Sequence, residues 1–248
     1  MSGEPRTDEM YLPLLKVDSS QINRHAIVCG DPARAAAIAA RLEDAEELGY
    51  NREYRLFNGW AGPTPVTVVS HGVGAAGAAV CFEELVRGGV QEIIRVGTAG
   101  SLAPHRLRDG DLVVGSAAVR KDGLTDQLVA PEYPAVADAT LTRRLTEAAR
   151  ERREDAAEGL ILTVGAFFPG VEELPNNYFS KAGVLAVEME AAALYVISSL
   201  HGIAAAGIFA IDGIAVDFDA EAYNPHREVV SRAIEDSMGA ALAVFQMR

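Results

Sequence analysis

Lysine is nearly absent from this 248-residue chain: Lys16, Lys121 and Lys181 are its only three. Arginine supplies the rest of the positive charge, and 35 acidic against 22 basic residues leave a formal net charge of −13. That surplus argues against broad binding to nucleic acid or to an anionic membrane, both of which ask for a basic face. It leaves room for a small anionic ligand wherever a few arginines converge. Cysteine is scarce too. Cys29 and Cys81 stand in apolar stretches without metal-type spacing, so reduced, buried thiols of a cytoplasmic protein are expected, and no metal. No apolar run approaches the roughly 18 residues of a membrane span, and Met1–Glu9 is too polar for a secretory signal. Internal repeats, low-complexity tracts and linkers are also missing.

What is present is a large apolar share, 49%. β-branched runs predict strands at Ala26–Gly30, Pro65–Ser70, Glu92–Thr98, Asp111–Val119, Leu160–Phe168, Val184–Val187 and Ile203–Ile211. Helical spacing predicts helices at Pro32–Leu42, Ala75–Arg87, Leu141–Arg152, Ala191–Leu200 and Glu228–Phe245. Such alternation implies an α/β fold, with a central mixed sheet flanked by helices in a three-layer α/β/α arrangement. One domain over residues 1–248 is expected, with residues 1–13 poorly ordered. The charged run Arg150–Glu158 reads as a solvated helix end and loop.

The chemistry concentrates where predicted strands run into helices, the edge at which open α/β sheets bind ligands. In Val187-Glu188-Met189-Glu190-Ala191 two carboxylates flank a methionine at such a junction. Glu190 can accept two hydrogen bonds from a vicinal diol beside the soft wall of Met189, although acidic residues also suit a first helical turn. Gly30-Asp31-Pro32-Ala33-Arg34 offers a close backbone approach, free N–H groups and a guanidinium one turn in. The same run is equally an ordinary strand-to-helix turn. Arg95, within Ile93-Ile94-Arg95-Val96-Gly97-Thr98, is costly to bury without an anion or an internal ion pair. Ser70-His71-Gly72-Val73-Gly74 makes a further glycine turn, in which His71 is either functional or a satisfied structural histidine. Asp212, ending an apolar strand before Gly213, is a natural general acid or simply part of an Asp-Gly turn.

In this order the segments resemble the nucleoside phosphorylase family, which includes purine nucleoside phosphorylases and uridine phosphorylases. The resemblance covers about Leu15 to Phe245. It rests on G-D-P-A-R (Gly30–Arg34), Y-N-R-E-Y (Tyr50–Tyr54), S-H-G-V-G (Ser70–Gly74), I-I-R-V-G-T-A-G-S (Ile93–Ser101), F-P-G (Phe168–Gly170), V-E-M-E (Val187–Glu190) and I-D-G (Ile211–Gly213). It implies reversible phosphorolysis of a nucleoside to free base and pentose 1-phosphate, with phosphate as co-substrate and no cofactor. By the same resemblance Gly30, Arg34, Arg95 and Thr98 hold phosphate, joined by Arg52 of a neighbouring subunit. Met189 and Glu190 hold the ribose. Phe167, Val187, Glu188, Gly100 and Asp212 surround the base, with Asp212 as general acid. A homo-oligomer follows, with a dimer as the smallest complete unit and a hexamer as trimer of dimers.

Two departures refine the resemblance. Uridine phosphorylases carry a glutamine and an arginine after the F-P-G-like segment, where this chain has Val171 and Glu173; with Asp212 and E-M-E-A-A, that points to the purine branch. Purine enzymes also present an N-terminal histidine to the ribose 5′-hydroxyl across the interface, where this chain aligns Leu14. An apolar residue there favours 5′-deoxy-5′-substituted adenosines. The alternatives are a nucleosidase of the same fold, a uridine phosphorylase and a nucleoside-binding protein without turnover.

Overall fold

Residues 10–216 and 223–246 are described in the computed structural model. A small antiparallel pair, β1 (Tyr11–Leu12) and β2 (Val17–Asp18), comes first. Next are β3 (His25–Cys29), α1 (Pro32–Ala39), the hairpin β4 (Glu43–Asn51) and β5 (Tyr54–Ala61), β6 (Thr64–Ser70) and α2 (Ala75–Arg87). The middle of the chain forms β7 (Glu92–Ser101), β8 (Leu112–Lys121), α3 (Thr125–Leu128), β9 (Ala135–Val136), α4 (Ala139–Arg152) and β10 (Ala157–Val164). The last part holds α5 (Asn176–Lys181), β11 (Ala186–Glu188), α6 (Ala191–His201), β12 (Ala204–Ile214) and α7 (Glu228–Gln246).

Strands β3 to β12 build one mixed sheet in the order β11-β10-β8-β12-β7-β3-β6-β5-β4, with β9 beside β8. β11 also pairs antiparallel with β7. The five strands β7, β12, β8, β10 and β11 therefore close on themselves, while β3 to β6 extend as an open wing. β3, β6, β7 and β12 run parallel, so their carboxyl ends gather along one edge.

Helices cover both faces, which gives the three-layer α/β/α arrangement. Phe82 and Leu85 of α2 join Leu194 and Val196 of α6 in one core. Ile38 of α1, Leu145 of α4 and Phe245 of α7 join the other. Ala26, Ile27, Val28 and Cys29 of β3 are all wholly buried, as a strand covered on both faces must be. Burying a side chain such as Phe82 contributes about 2 kcal/mol. The helix starts follow their sequence signals. Asp31 accepts the Ala33 N–H at 2.8 Å with Pro32 in the first turn, and Asp138 accepts the Leu141 N–H at 2.7 Å.

Three expectations are corrected. The hairpin β4–β5 was not expected, because β4 is an exposed, glutamate-rich edge strand with little β-forming character. The strand predicted over Leu160–Phe168 stops at Val164, and Phe167 and Phe168 lie on a loop. Residues 1–13 were expected to be poorly ordered. Residues 1–9 lie outside the described ones, but Tyr11–Leu12 is a paired strand and Leu12 is fully buried. Its anchor is Glu84 on α2, a buried carboxylate that accepts the N–H groups of Leu14 and Leu15 at 3.0 and 2.8 Å.

Candidate active site

The shared strand edge surrounds a cavity of about 540 Å³. Its walls bring together Gly30, Arg34, Arg95, Thr98, Gly100, Phe167, Val187, Glu188, Met189, Glu190 and Asp212, residues that span most of the chain. Arg95, Thr98 and Gly100 come from β7, Arg34 from the first turn of α1, and the others from strand ends and the loops or turns beside them. Gly30 follows β3 at a point where a Cβ would lie 3.1 Å from the Gly72 carbonyl oxygen. A Cβ on Gly100 would meet that of Ala215 at 2.6 Å, so glycine keeps two walls in contact.

Arg95 is the hub of the buried charges. Its side chain is 4% exposed, and its Nε donates to Glu188 Oε2 at 3.2 Å. Its Nη1 lies 2.9 Å from His71 Nε2, and its Nη2 pairs with Glu190. The internal ion pair and the place on the cavity wall are both realised at this arginine. His71 is fully buried, with Nδ1 2.9 Å from the Gly72 carbonyl. These partners assign the proton to Nδ1 and leave Nε2 to accept from Arg95. Burial, reinforced by the Arg95 charge, holds the His71 pKa well below the usual histidine value, so the ring stays neutral.

The two glutamates divide the work. Glu188 accepts from Arg95, from Thr163 Oγ1 at 2.6 Å and from the N–H groups of Glu190 and Ala191 at 2.8 and 2.9 Å. It lines the cavity while capping α6 and holding Arg95. Glu190 is bound by Arg95 and by the Gly74 N–H at 2.5 Å. Burial pushes its pKa up, against the pull of Arg95. The turn His71–Gly74 thus grips both members of the Arg95–Glu190 pair.

Arg34 differs. Its Nη1 donates to the Val96 carbonyl at 3.4 Å, and among the described residues no carboxylate pairs with it. Burial, the largest cause, together with repulsion from Arg95, lowers its pKa. Arg95 is matched by Glu188 and Glu190, whereas Arg34 reaches the cavity wall held only by a backbone carbonyl, so its guanidinium has donors to offer an anion. Asp212, 7% exposed, has its pKa raised by burial; the hydroxyls of Tyr223 and Thr98 and the Arg34 charge pull it partly back.

Arg52 and Leu14 do not line this cavity. Arg52 is exposed at φ 56° in the β4–β5 turn, and Leu14 packs against the core of the chain. They are close in space, since Asn51 Nδ2 donates to the Leu14 carbonyl at 2.8 Å. Val171 and Glu173 are exposed and also lie away from the cavity wall. Sequence reasoning missed Tyr223, Asn176 and Leu174, which the structure places in the wall. None stands in a periodic or strand-end pattern that could have flagged it. Among the described residues no group of His, Cys, Asp and Glu could hold a metal ion, and no helix is long and apolar enough to cross a membrane.

The signature of the phosphorylase superfamily matches residues 24–246. The chain is similar to the purine nucleoside phosphorylase of Plasmodium vivax (strain Salvador I), 35% identical over 207 residues that cover 83% of this chain and 84% of that protein. It is also similar to the uridine phosphorylase of Thermococcus kodakarensis, 33% identical over 223 residues, covering 84% and 79%. The solved structure of purine nucleoside phosphorylase from Toxoplasma gondii in complex with immucillin-H superposes with a TM-score of 0.92 at 32% identity, over 97% of this chain and 98% of that one. With a family signature over nearly its whole length and relatives at this identity, the chain belongs to the phosphorylase superfamily, among its nucleoside phosphorylases.

Proposed function

We propose that this enzyme is a purine nucleoside phosphorylase. A phosphate oxygen attacks C1′ of the pentose, the glycosidic electrons leave with the base, and Asp212 supplies a proton or hydrogen bond to N7. The products are the free purine and pentose 1-phosphate. The observation that carries the purine reading is Asp212 itself, a carboxyl that burial keeps inclined to hold its proton, set in the wall of the cavity. Such a group suits a leaving group that gathers negative charge on a ring nitrogen. A departing uracil places its charge on carbonyl oxygens and asks for amide or guanidinium donors. Val171 and Glu173 offer neither.

Arg34, Arg95, Thr98 and Gly30 form the phosphate site in this reading, completed by Arg52 of a neighbouring subunit. Glu190 and Met189 hold the ribose, so the nucleoside diol takes Glu190 over from Arg95 and frees guanidinium donors for phosphate. Leu14 of the same neighbouring subunit faces the 5′-position. The Asn51–Leu14 bond supports the idea that Arg52 and Leu14 travel together.

The uridine enzyme is the second reading, favoured by the comparable identity of uridine phosphorylases. Product release from adenosine, inosine, uridine and 5′-deoxy-5′-methylthioadenosine, each with and without phosphate, separates the possibilities. The expected result is phosphate-dependent release of purine base. Phosphate-independent release would make it a nucleosidase, and preference for uridine would overturn the purine assignment.

A further inference from the structure

Tyr223 stands eleven positions after Asp212, at the chain's return to α7, and its hydroxyl donates to Asp212 Oδ2 at 2.8 Å. Its ring lies against the Gly213 backbone, where a Cβ would approach Tyr223 Cδ2 to 2.9 Å. On another side the ring meets Phe167, with centroids 5.9 Å apart at a tilted 59°. Both aromatic rings line the cavity. A hydroxyl bond, a glycine that leaves space for the ring and an aromatic neighbour are three independent contacts that converge on one side chain.

We infer that Tyr223 is a positioning residue for the acid: its hydroxyl occupies Asp212 Oδ2 and thereby directs the carboxyl proton to Oδ1 for delivery to the base. Its ring, seated over Gly213, forms a base wall with Phe167. The inference rests on the proposed role of Asp212. A carboxylic acid carries its proton on one oxygen, and an oxygen that already accepts a strong hydrogen bond is the poorer place for it. Tyr223 suits the task because burial and the neighbouring Asp212 push its own pKa above the usual tyrosine value, so it remains a donor at every working pH. Gly213 then has a function of its own. It admits the ring that orients the preceding aspartate.

The test compares Tyr223→Phe, Tyr223→Leu and Asp212→Asn with the wild-type enzyme in phosphorolysis of a purine nucleoside across pH. Tyr223→Phe keeps the ring and loses the hydroxyl. It should lower kcat about tenfold with little change in nucleoside KM, a loss confined to the chemical step. Removing a donor to the ionised carboxylate should also move the alkaline limb of the kcat–pH profile upward. Tyr223→Leu should show both effects and a raised nucleoside KM, since the wall is gone. In parallel, NMR of ¹³C-labelled aspartate carboxyls should show the Asp212 titration shifted upward in Tyr223→Phe. Wild-type kcat, pH profile and titration in Tyr223→Phe, with Asp212→Asn impaired, would overturn the positioning role alone. An Asp212→Asn enzyme as active as wild type would overturn the role of Asp212 beneath it.

Discussion

At the scale of single residues, the site keeps carboxylates where a stable core would exclude them. Asp212 and Glu190 are 7% and 4% exposed, and burial is the leading cause of both raised pKa values. For Asp212 the folded-state pKa lies above that of the unfolded chain. Its contribution to stability is therefore fully present below the unfolded value of about 3.9 and is lost as pH rises through the folded one. Asp212→Asn should then raise the urea midpoint at neutral pH and leave it unchanged near pH 3. The same variant should lower kcat on natural purine nucleosides by about 10²–10⁴-fold. It should matter less for 7-methylated nucleosides, whose base leaves already cationic. An equal loss on both substrates would remove Asp212 from N7. If Glu190 grips the ribose diol and opposes the positive charge developing on the sugar, Glu190→Gln should reduce kcat/KM more for a ribonucleoside than for its 2′-deoxy counterpart. Equal reductions in a side-by-side assay would place Glu190 away from the 2′-hydroxyl.

At the scale of elements, the cavity depends on pieces that hold one another by polar groups as well as by packing. Glu188 ties β11 to Arg95 on β7, to Thr163 on β10 and to the first turn of α6. Glu84 does the corresponding work between α2 and the N-terminal pair β1–β2. Glu84→Ala strands the N–H groups of Leu14 and Leu15 in partly or fully buried positions. The expected cost is on the order of 2 kcal/mol, read from urea unfolding. Amide exchange should quicken at Leu14 and Leu15 while β3 stays protected. Uniform loss of protection across the sheet would show that Glu84 supports the whole fold rather than the N-terminal segment.

At the scale of the whole molecule, the cavity does not contain every residue proposed for the site. Arg52 and Leu14 lie together on a different part of the surface. If Arg52 completes a neighbour's phosphate site, Arg52→Ala and Arg34→Ala enzymes should each show a raised phosphate KM. A loss of about 1.5–3 kcal/mol corresponds to roughly ten- to a hundredfold. Unfolding the two variants together and refolding the mixture should restore activity, because a mixed dimer contains one site with both arginines. A mixture no more active than its components would place Arg52 outside the site. If Leu14 faces the 5′-position of a neighbour's nucleoside, Leu14→His should raise kcat/KM for 5′-hydroxyl relative to 5′-methylthio substrates.

The alternation of β-branched runs with helical spacing determined the α/β class, and local cues such as Asp31-Pro32 and Asp138 determined where helices begin. Arg34, Arg95, Glu190 and Asp212 were legible as cavity residues because charged groups within or just beyond apolar strands are costly to bury unless they are used. The edge strand β4 was not legible: its glutamates face solvent, and only pairing with β5 makes it a strand. Nor could sequence tell whether Arg95 meets an anion or an ion pair, since Glu188 and Glu190 are more than ninety positions away. Tyr223 is the clearest case. Nothing in its neighbours marks it, and its contacts exist only because the end of β12 and the start of α7 bring its hydroxyl to Asp212 and its ring to Phe167. The sequence alone determines which groups must be buried together, through period and polarity along the chain. Which of them touch is decided by tertiary packing, because hydrogen-bond partners are set by distances of about 3 Å that no linear pattern encodes.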